Sequence, residues 1–372
     1  VSAETPATER YVVNFDNPDC GVGHAIGYLN GQLKVARRNT LELAYSSAQL
    51  KKSTDRSLLF RAKRLVKRLI LRRHIESHNL GDDLDALFAP GARTASRDRL
   101  FSPAHRGRYR FLTLPATNIP LDWREHDDDE AYGEIDRFIR AHPEPFTVFV
   151  LPKNWQPDCE FSATRRWFQN AYASARRENP IACGYWPDCM NIAIHVRRGD
   201  ILPGRSFESL SNRLLPDAWY IARLSELCAA IRGPKHIHVI SEGNDARYVD
   251  ENGLPSTAFE RLGDALATPV TMRVARPFLD DFHHLVCADV LIGSRSGMSH
   301  LAAVLSDGLK IAPRMWHSYR GVDHVMECDP GQPKPIADRI DAALTRYLAS
   351  RRRAAAPRTT SYAQGQRAST WR

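Results

Sequence analysis

From residue 190 onward, short apolar runs alternate with helical ones, and few architectures accept that rhythm. Strand-like segments stand at Ile192–Ile194, His236–Ser241, Val270–Val274, Asp289–Ile292 and Leu309–Ala312. Between them helical spacing covers Asp217–Ile231, Ser256–Ala267, Asp280–Cys287 and Ser299–Leu305, and a last helix covers Pro335–Ser350. Runs that are apolar throughout belong to strands covered on both faces, the condition of a parallel sheet flanked by helices. The fold class this predicts is α/β, with a doubly wound, Rossmann-like sheet.

The first half repeats the rhythm more loosely. Arg10–Phe15 reads as a strand, Asn17–Gly23 as a turn, and Ala25–Leu43 as a helix interrupted by Gly27 and Gly31. Gly81–His126 reads as loop, punctuated by four prolines. Phe146–Leu151 then reads as a strand, and Ser162–Glu178 as a helix ending at Asn179-Pro180. A chain of 372 residues with 43% hydrophobic content fills two cores. Two such domains are expected, 1–180 and 181–350, with a cleft between them. Residues 351–372 form a basic, Ala/Ser/Thr/Gln-rich tail that cannot build a core and is expected to be disordered.

A formal charge of +9 suggests anionic partners without naming them. Basic residues from Arg61 to Arg73 interleave with Leu58, Ala62, Leu65 and Leu69 at helical spacing. Such a helix buries its apolar stripe in its own domain, or touches an anionic membrane peripherally. Nucleic acid is not an expected partner, since no basic–aromatic module or zinc finger is present. The acidic run Glu125–Glu130 reads as a helix start, with a divalent cation held by Asp127-x-Asp129 as the alternative. Seven cysteines at scattered spacing fit reduced thiols, and Cys183 and Cys189 read as structural or free rather than as metal ligands. No run is long and apolar enough for a transmembrane helix. With no apolar leader, the expected compartment is the cytosol, or a Golgi lumen if a membrane anchor precedes this segment.

Three stretches carry chemistry. Asn191–Asp200 runs from a buried strand into His195, Arg197, Arg198, Gly199 and Asp200. Open α/β sheets bind ligands beyond the carboxyl ends of their strands. Paired arginines there need an anion to offset their desolvation, and the forked guanidinium suits phosphate. The plainer alternative is a structural Arg–Asp pair closing the strand. Gly21-Val22-Gly23, between a strand and a helix, offers backbone N–H groups to an anion, although the spacing is neither a dinucleotide fingerprint nor a Walker loop. Gly293–Ser299 opens another helix with Ser294, Ser296 and Ser299, which either bind phosphate or simply cap the helix.

His195-Val-Arg-Arg-Gly-Asp200 resembles the H-x-R-R-x-D motif of the α1,2/α1,6/protein-O-fucosyltransferase superfamily, closest in style to its α1,6 branch. Gly293–Ala303 after Asp281, the turn and helix over 17–43, and Val239–Glu242 resemble that superfamily's other elements in the same order. The resemblance implies a GT-B-like fold and inverting, metal-independent transfer of fucose from GDP-fucose to a glycan or glycoconjugate acceptor. No cofactor is implied. Residues 1–180 would face the acceptor, and 181–350 would bind the nucleotide sugar. Arg197 and Arg198 would hold the β-phosphate, with Gly21, Val22, Gly23, Ser294 and Ser296 around the diphosphate and Asp200 orienting the arginines. His195 and Asp281 would face guanine, and Glu242 would lie beside the nucleoside. Glu208 is the candidate general base. Two departures stand out: Gly297 replaces the branch's second serine, and Arg295 replaces an aromatic or small residue. Alternatives are a GT-B enzyme using a heptosyl or hexosyl donor, and a non-catalytic protein holding anions, lipid or nucleic acid. On the transferase reading, Arg198→Ala is expected to abolish turnover while leaving the fold intact.

Overall fold

Two sheets, each wholly parallel, carry the chain. The computed structural model describes residues 9–13, 22–45, 80–90, 94–120, 122–152, 154–205, 208–242, 247–331 and 336–355. The first sheet holds β1 (Arg10–Val13), β2 (Glu42–Tyr45), β3 (Ala95–Ser96), β4 (Arg110–Thr113) and β5 (Thr147–Val150), in the order β3-β2-β1-β5-β4. The second holds β6 (Met190–Val196), β7 (Lys235–Ser241), β8 (Val270–Val274), β9 (Val290–Ile292), β10 (Leu309–Pro313) and β11 (Val325–Cys328). Its order is β11-β10-β9-β6-β7-β8. Counted from its own first strand and read from the β8 edge, this is 3-2-1-4-5-6, the doubly wound order, with a switch point between β6 and β9. The first sheet has its switch between β1 and β5.

Helices α1 (Val22–Arg38), α2 (Leu80–Phe88), α3 (Asp128–Ala141) and α4 (Arg165–Glu178) belong to the first half. The second half has α5 (Asp217–Ala230), α6 (Ala258–Ala265), α7 (Phe278–Cys287), α8 (Gly297–Leu305) and α9 (Ala337–Ala355). Side chains along a strand alternate between faces, and β6 feeds two cores for that reason. Ile192, Ile194 and Val196 pack with Leu224 and Leu227 of α5 and Ile340 and Leu344 of α9. Ala193 instead joins Phe282 and Leu285 of α7 and Leu301 of α8. That second core continues without a break into Ile26 and Leu29 of α1 and Phe168 of α4, so the two sheets share an apolar helical layer.

Gly23, Gly27 and Gly31 recur every four residues on one face of α1, and each permits a close approach. A Cβ on Gly27 would lie 2.8 Å from Pro157 Cβ and 2.9 Å from Cys159 Sγ, and one on Gly31 would lie 3.0 Å from Trp155 Nε1. A Cβ on Gly23 would lie 3.2 Å from Gly297 Cα, where the first turns of α1 and α8 meet. Lys34, buried on the same helix, pairs with Asp128 (2.7 Å), Asp158 (3.0 Å) and Glu160 (2.9 Å).

Several expectations change. The first helix stops at Arg38, Thr40 takes a left-handed conformation (φ +53°), and Glu42–Tyr45 is strand rather than helix. The stretch 81–126 holds α2, β3 and β4. Its strands are edge pieces of two and four residues, too short and mixed to register as apolar runs. β11, with Glu327 at its centre, was hidden likewise. Asp127 caps α3 by accepting from the N–H groups of Asp129 and Glu130, while Lys34 and Arg38 meet Asp128 and Asp129, so the helix-start reading holds there. α9 continues to Ala355, making the start of the basic tail helical. The Arg61–Arg73 block and residues 356–372 lie outside the described residues.

Filling the glycine face tests this packing. Gly27→Val places branched carbon where Pro157 and Cys159 already sit, and overpacking of this kind costs ~1–3 kcal/mol. Urea denaturation should show that loss; an unchanged midpoint would mean the approach is looser than described.

Candidate active site

The switch point of the second sheet lies where β6 and β9 release the chain, and both chemical stretches leave the sheet there. His195, one residue before the end of β6, is buried. Its Nδ1 lies 2.5 Å from Ser299 Oγ and 2.9 Å from Ser294 Oγ, and Ser294 N–H donates to Ser299 Oγ (3.0 Å). The imidazole therefore pins β6 to the β9–α8 turn. Its Nε2 points toward Glu242 Oε1 at 3.6 Å and has no hydrogen-bond partner. Glu242, at the exit of β7, accepts the Arg198 N–H through Oε2 (2.8 Å). Burial opposes ionisation of this carboxyl, but His195, Arg197 and that N–H outweigh it and hold its pKa below the usual range. Gly199 is left-handed (φ +53°), and a Cβ there would come within 3.0 Å of Glu242 Cβ, so the turn needs glycine.

The two arginines part company. Arg198 is fully buried and turned inward, which corrects the expectation that both guanidinium groups face a diphosphate. Its Nη2 meets Asp217 Oδ1 at 2.5 Å, at the start of α5. Nη1 donates to Leu215 O (3.0 Å) and Arg197 O (2.9 Å), and Nε donates to Val249 O (3.2 Å). Tyr248 closes the cluster by donating to Asp217. Such a guanidinium has nothing left for a ligand, and Arg198 is a positioning residue that organises the loop between β6 and α5. Arg197 points the other way. Its ion-pair contact among the described residues is Asp200 Oδ1 at 3.4 Å, so Asp200 steadies one arginine, not two.

Other cations gather around Arg197. Arg213 ends the short helix Glu208–Arg213 and lies over the Trp316 ring, its guanidinium carbon 4.8 Å from the centroid. Its Nε has no partner among the described residues, and burial and then Arg197 lower its pKa. His24, on the first turn of α1, has its pKa lowered by partial desolvation and then by Arg213. His317, buried behind them, is driven strongly toward the neutral form by burial first and then by His300, Arg213, His24 and Arg197. Arg295 ties the β9–α8 turn to the same loop by donating to Asn212 O (2.5 Å), and its own Nε is unpaired. Neither α1 nor α8 carries an acidic residue in its first turn. Among the described residues Arg197, Arg213 and Arg295 outnumber the nearby carboxylates, Asp200 and Glu242, and two helices begin at the same spot without first-turn acids, a positive excess that suits an anion.

The remaining expected residues divide. Val22 and Gly23 stand at the start of α1 facing α8, whereas Gly21 lies outside the described residues. Ser296 caps α8 by accepting from Met298 N–H (3.2 Å), leaving its O–H as a donor. Ser294 is buried and engaged with His195 and Ser299, so it braces the turn from behind. Asp281 is buried on α7 and paired with Arg273 Nε (3.0 Å), a partner on β8 that the sequence reading missed. Burial pushes the Asp281 carboxyl up to about 6, more than Arg273 draws it down. Glu208 begins the short helix Glu208–Arg213, and its side chain lies outside the described residues. Arg213 and His24 were also missed. Arg213 sits in a polar stretch that carries no signal, while His24 directly follows the glycine turn, which is one.

Arg198→Ala should therefore unfold the protein rather than silence it. Removing one partner of a buried ion pair costs ~3–5 kcal/mol. Arg197→Ala, whose side chain has one long contact, should cost under about 1 kcal/mol. Equilibrium denaturation of both variants checks the assignment, and equal losses would contradict it. Asp281 gives a pH signature. Its folded pKa of about 6 lies above the ordinary 3.8, so the group costs stability as pH rises from about 4 to about 6 and exacts the full cost above that. The stability of wild type relative to Asp281→Asn should fall by up to about 3 kcal/mol across that window.

No known protein family matches the sequence, and no curated protein is similar to it. Among solved structures, the chain is similar to a mutant of Arabidopsis thaliana FUT1 in complex with GDP, at 13% identity over 81% of this chain and 70% of that one (TM-score 0.40). It is similar to POFUT1 in complex with GDP-fucose, at 11% identity over 81% and 95% (TM-score 0.44). E. coli heptosyltransferase WaaC with ADP-2-deoxy-2-fluoro heptose follows, at 11% identity over 92% and 99% (TM-score 0.34). Identities this low leave the function to be read from the side chains themselves.

Proposed function

We propose that the chain is a glycosyltransferase that moves a sugar, fucose from GDP-fucose on the motif's resemblance, to the hydroxyl of a glycan or glycoconjugate with inversion at the anomeric carbon. The observation that carries this reading is the positive excess of Arg197, Arg213 and two acid-free helix ends over Asp200 and Glu242 at the switch point. Glycosyl transfer separates a cationic sugar from a diphosphate, so stabilising the leaving group is the largest electrostatic contribution available. Arg197 and Arg213 neutralise the charge as the C1–O bond to the diphosphate breaks. The first-turn N–H groups of α1 and α8 and the Ser296 hydroxyl donate to the same oxygens. These donors are fixed before substrate arrives, and the reaction needs no metal in the transfer step. Arg198 contributes by holding the loop that presents Arg197.

Among the described side chains His24 is the candidate general base, and Glu208 lies outside them. His24 stands beside Arg213 and is held toward its neutral form, which suits it to take the acceptor's proton as the new C1–O bond forms. Asp281, when ionised, accepts from the N1–H and exocyclic amine of guanine, a pair of donors that adenine and uracil do not present together.

Arg197→Ala and Arg213→Ala should each lower kcat by about 10²–10³-fold with the fold intact. His24→Ala should depress kcat more than it raises KM. Wild-type kcat should fall as pH drops below the usual histidine range and the base becomes protonated, and the variant should lose that limb. Donor hydrolysis without acceptor, scored across GDP-fucose, other GDP-sugars, UDP-sugars and ADP-sugars, tests the donor. Turnover of an ADP-heptose with none of GDP-fucose would end the fucosyl assignment, and turnover of no nucleotide sugar would end the transferase one.

A further inference from the structure

We propose that Cys183, His283 and Cys287 form a binding site for a single divalent cation of the Zn2+ class, which ties the segment between the two sheets to α7. One ligand atom from each residue lies within 4.8 Å of the others. His283 and Cys287 stand one helical turn apart on α7, and Cys183 comes from the stretch between α4 and β6.

The three side chains are within reach of one ion, and the thiol has to turn to take it. Cys287 Sγ lies beside the His283 ring, 3.5 Å from Nε2 and 3.7 Å from Nδ1. Tetrahedral zinc on Nε2 keeps an S···N edge of about 3.6 Å and moves the sulfur away from Nδ1. The histidine is also braced as metal-bound histidines are. Tyr172, buried on α4, holds its hydroxyl 2.6 Å from His283 Nδ1. With Nδ1–H donating to that oxygen, Nε2 keeps its lone pair for an ion. Two thiolates and an imidazole select a borderline-soft cation over Mg2+ or Ca2+. Cys287 is exposed and Cys183 half-buried, so an ion has a route in and a fourth position open to water. Cys189, which shares the segment with Cys183, takes no part: its thiol lies against Trp186 O and Asn191 Oδ1.

The segment is already laid along α7 at two further points, where Gly184 N–H donates to His284 Nε2 (3.3 Å) and the Tyr185 hydroxyl donates to His284 O (2.5 Å). An ion at the third point would fix the helix that carries Asp281 to the only covalent path between β5 and β6. This inference stands apart from the choice of donor.

The test is a Co2+ titration of the full chain, reduced and stripped of metal. Wild type should develop thiolate-to-cobalt charge transfer and the visible bands of a tetrahedral ion, saturating at one Co2+ per chain and displaced by Zn2+. Cys183→Ser, Cys287→Ser and His283→Ala should each weaken Co2+ binding at least tenfold, while Cys189→Ser should titrate as wild type does. A second reading needs no variant: Zn2+ should protect Cys183 and Cys287 of wild type from alkylation. Absence of thiolate bands in wild type, cysteine variants that titrate unchanged, or unprotected thiols would each overturn the site. So would a Cys183–Cys287 disulfide whose reduction yields no Co2+ binding, since the pair would then be a redox element.

Discussion

A buried guanidinium decides how the candidate site is built. Arg198 carries a full charge into the interior, which is tolerable because Asp217, three backbone carbonyls and Tyr248 surround it. Those acceptors come from the start of α5 and from the stretch before α6, so the ion pair gathers both loops around the end of β6. The shape of the cleft wall follows from that gathering. Neighbouring residues leaving a strand point to opposite sides. One arginine turned inward therefore commits the next one outward, and Arg197 reaches the cleft because Arg198 does not.

The cleft's charge is a product of the topology as much as of composition. Each sheet reverses its winding once, and the helix following the reversal strand begins beside it. α1 and α8 start close enough for Gly23 and Gly297 to touch, because neither residue has a side chain. Both helices lack first-turn acids, whereas α3, α5 and α7 have them. Among the described residues the positive field at this point thus exceeds what Asp200 and Glu242 offset.

Much of this was legible in the sequence. The strands and helices after residue 190 fall where the alternation of apolar runs put them, since a strand buried on both faces leaves a strong signal. The short edge strands β3 and β4 and the polar β11 left almost none. His195, Arg197 and Gly199 stand at the exit of β6, where the apolar run placed them, and His195 braces the turn rather than standing open. Arg198 departs from the expectation because residues adjacent in sequence need not face the same way, and its guanidinium is bonded inward. Arg213 and His24 meet only through tertiary packing of two separate elements, and Arg273 meets Asp281 the same way, so no pattern in the sequence joins them. The glycines of α1 looked like interruptions of a helix; in the folded chain they are where Pro157, Trp155 and α8 press against it.

The apolar layer common to both sheets bears on how such a molecule would admit and release a bulky ligand. Ile26, Phe168, Phe282 and Leu301 sit in one continuous cluster. Prising the halves apart would wet that cluster, at about 25 cal/mol for every Å² uncovered. Wide swinging of one half against the other is therefore the expensive motion.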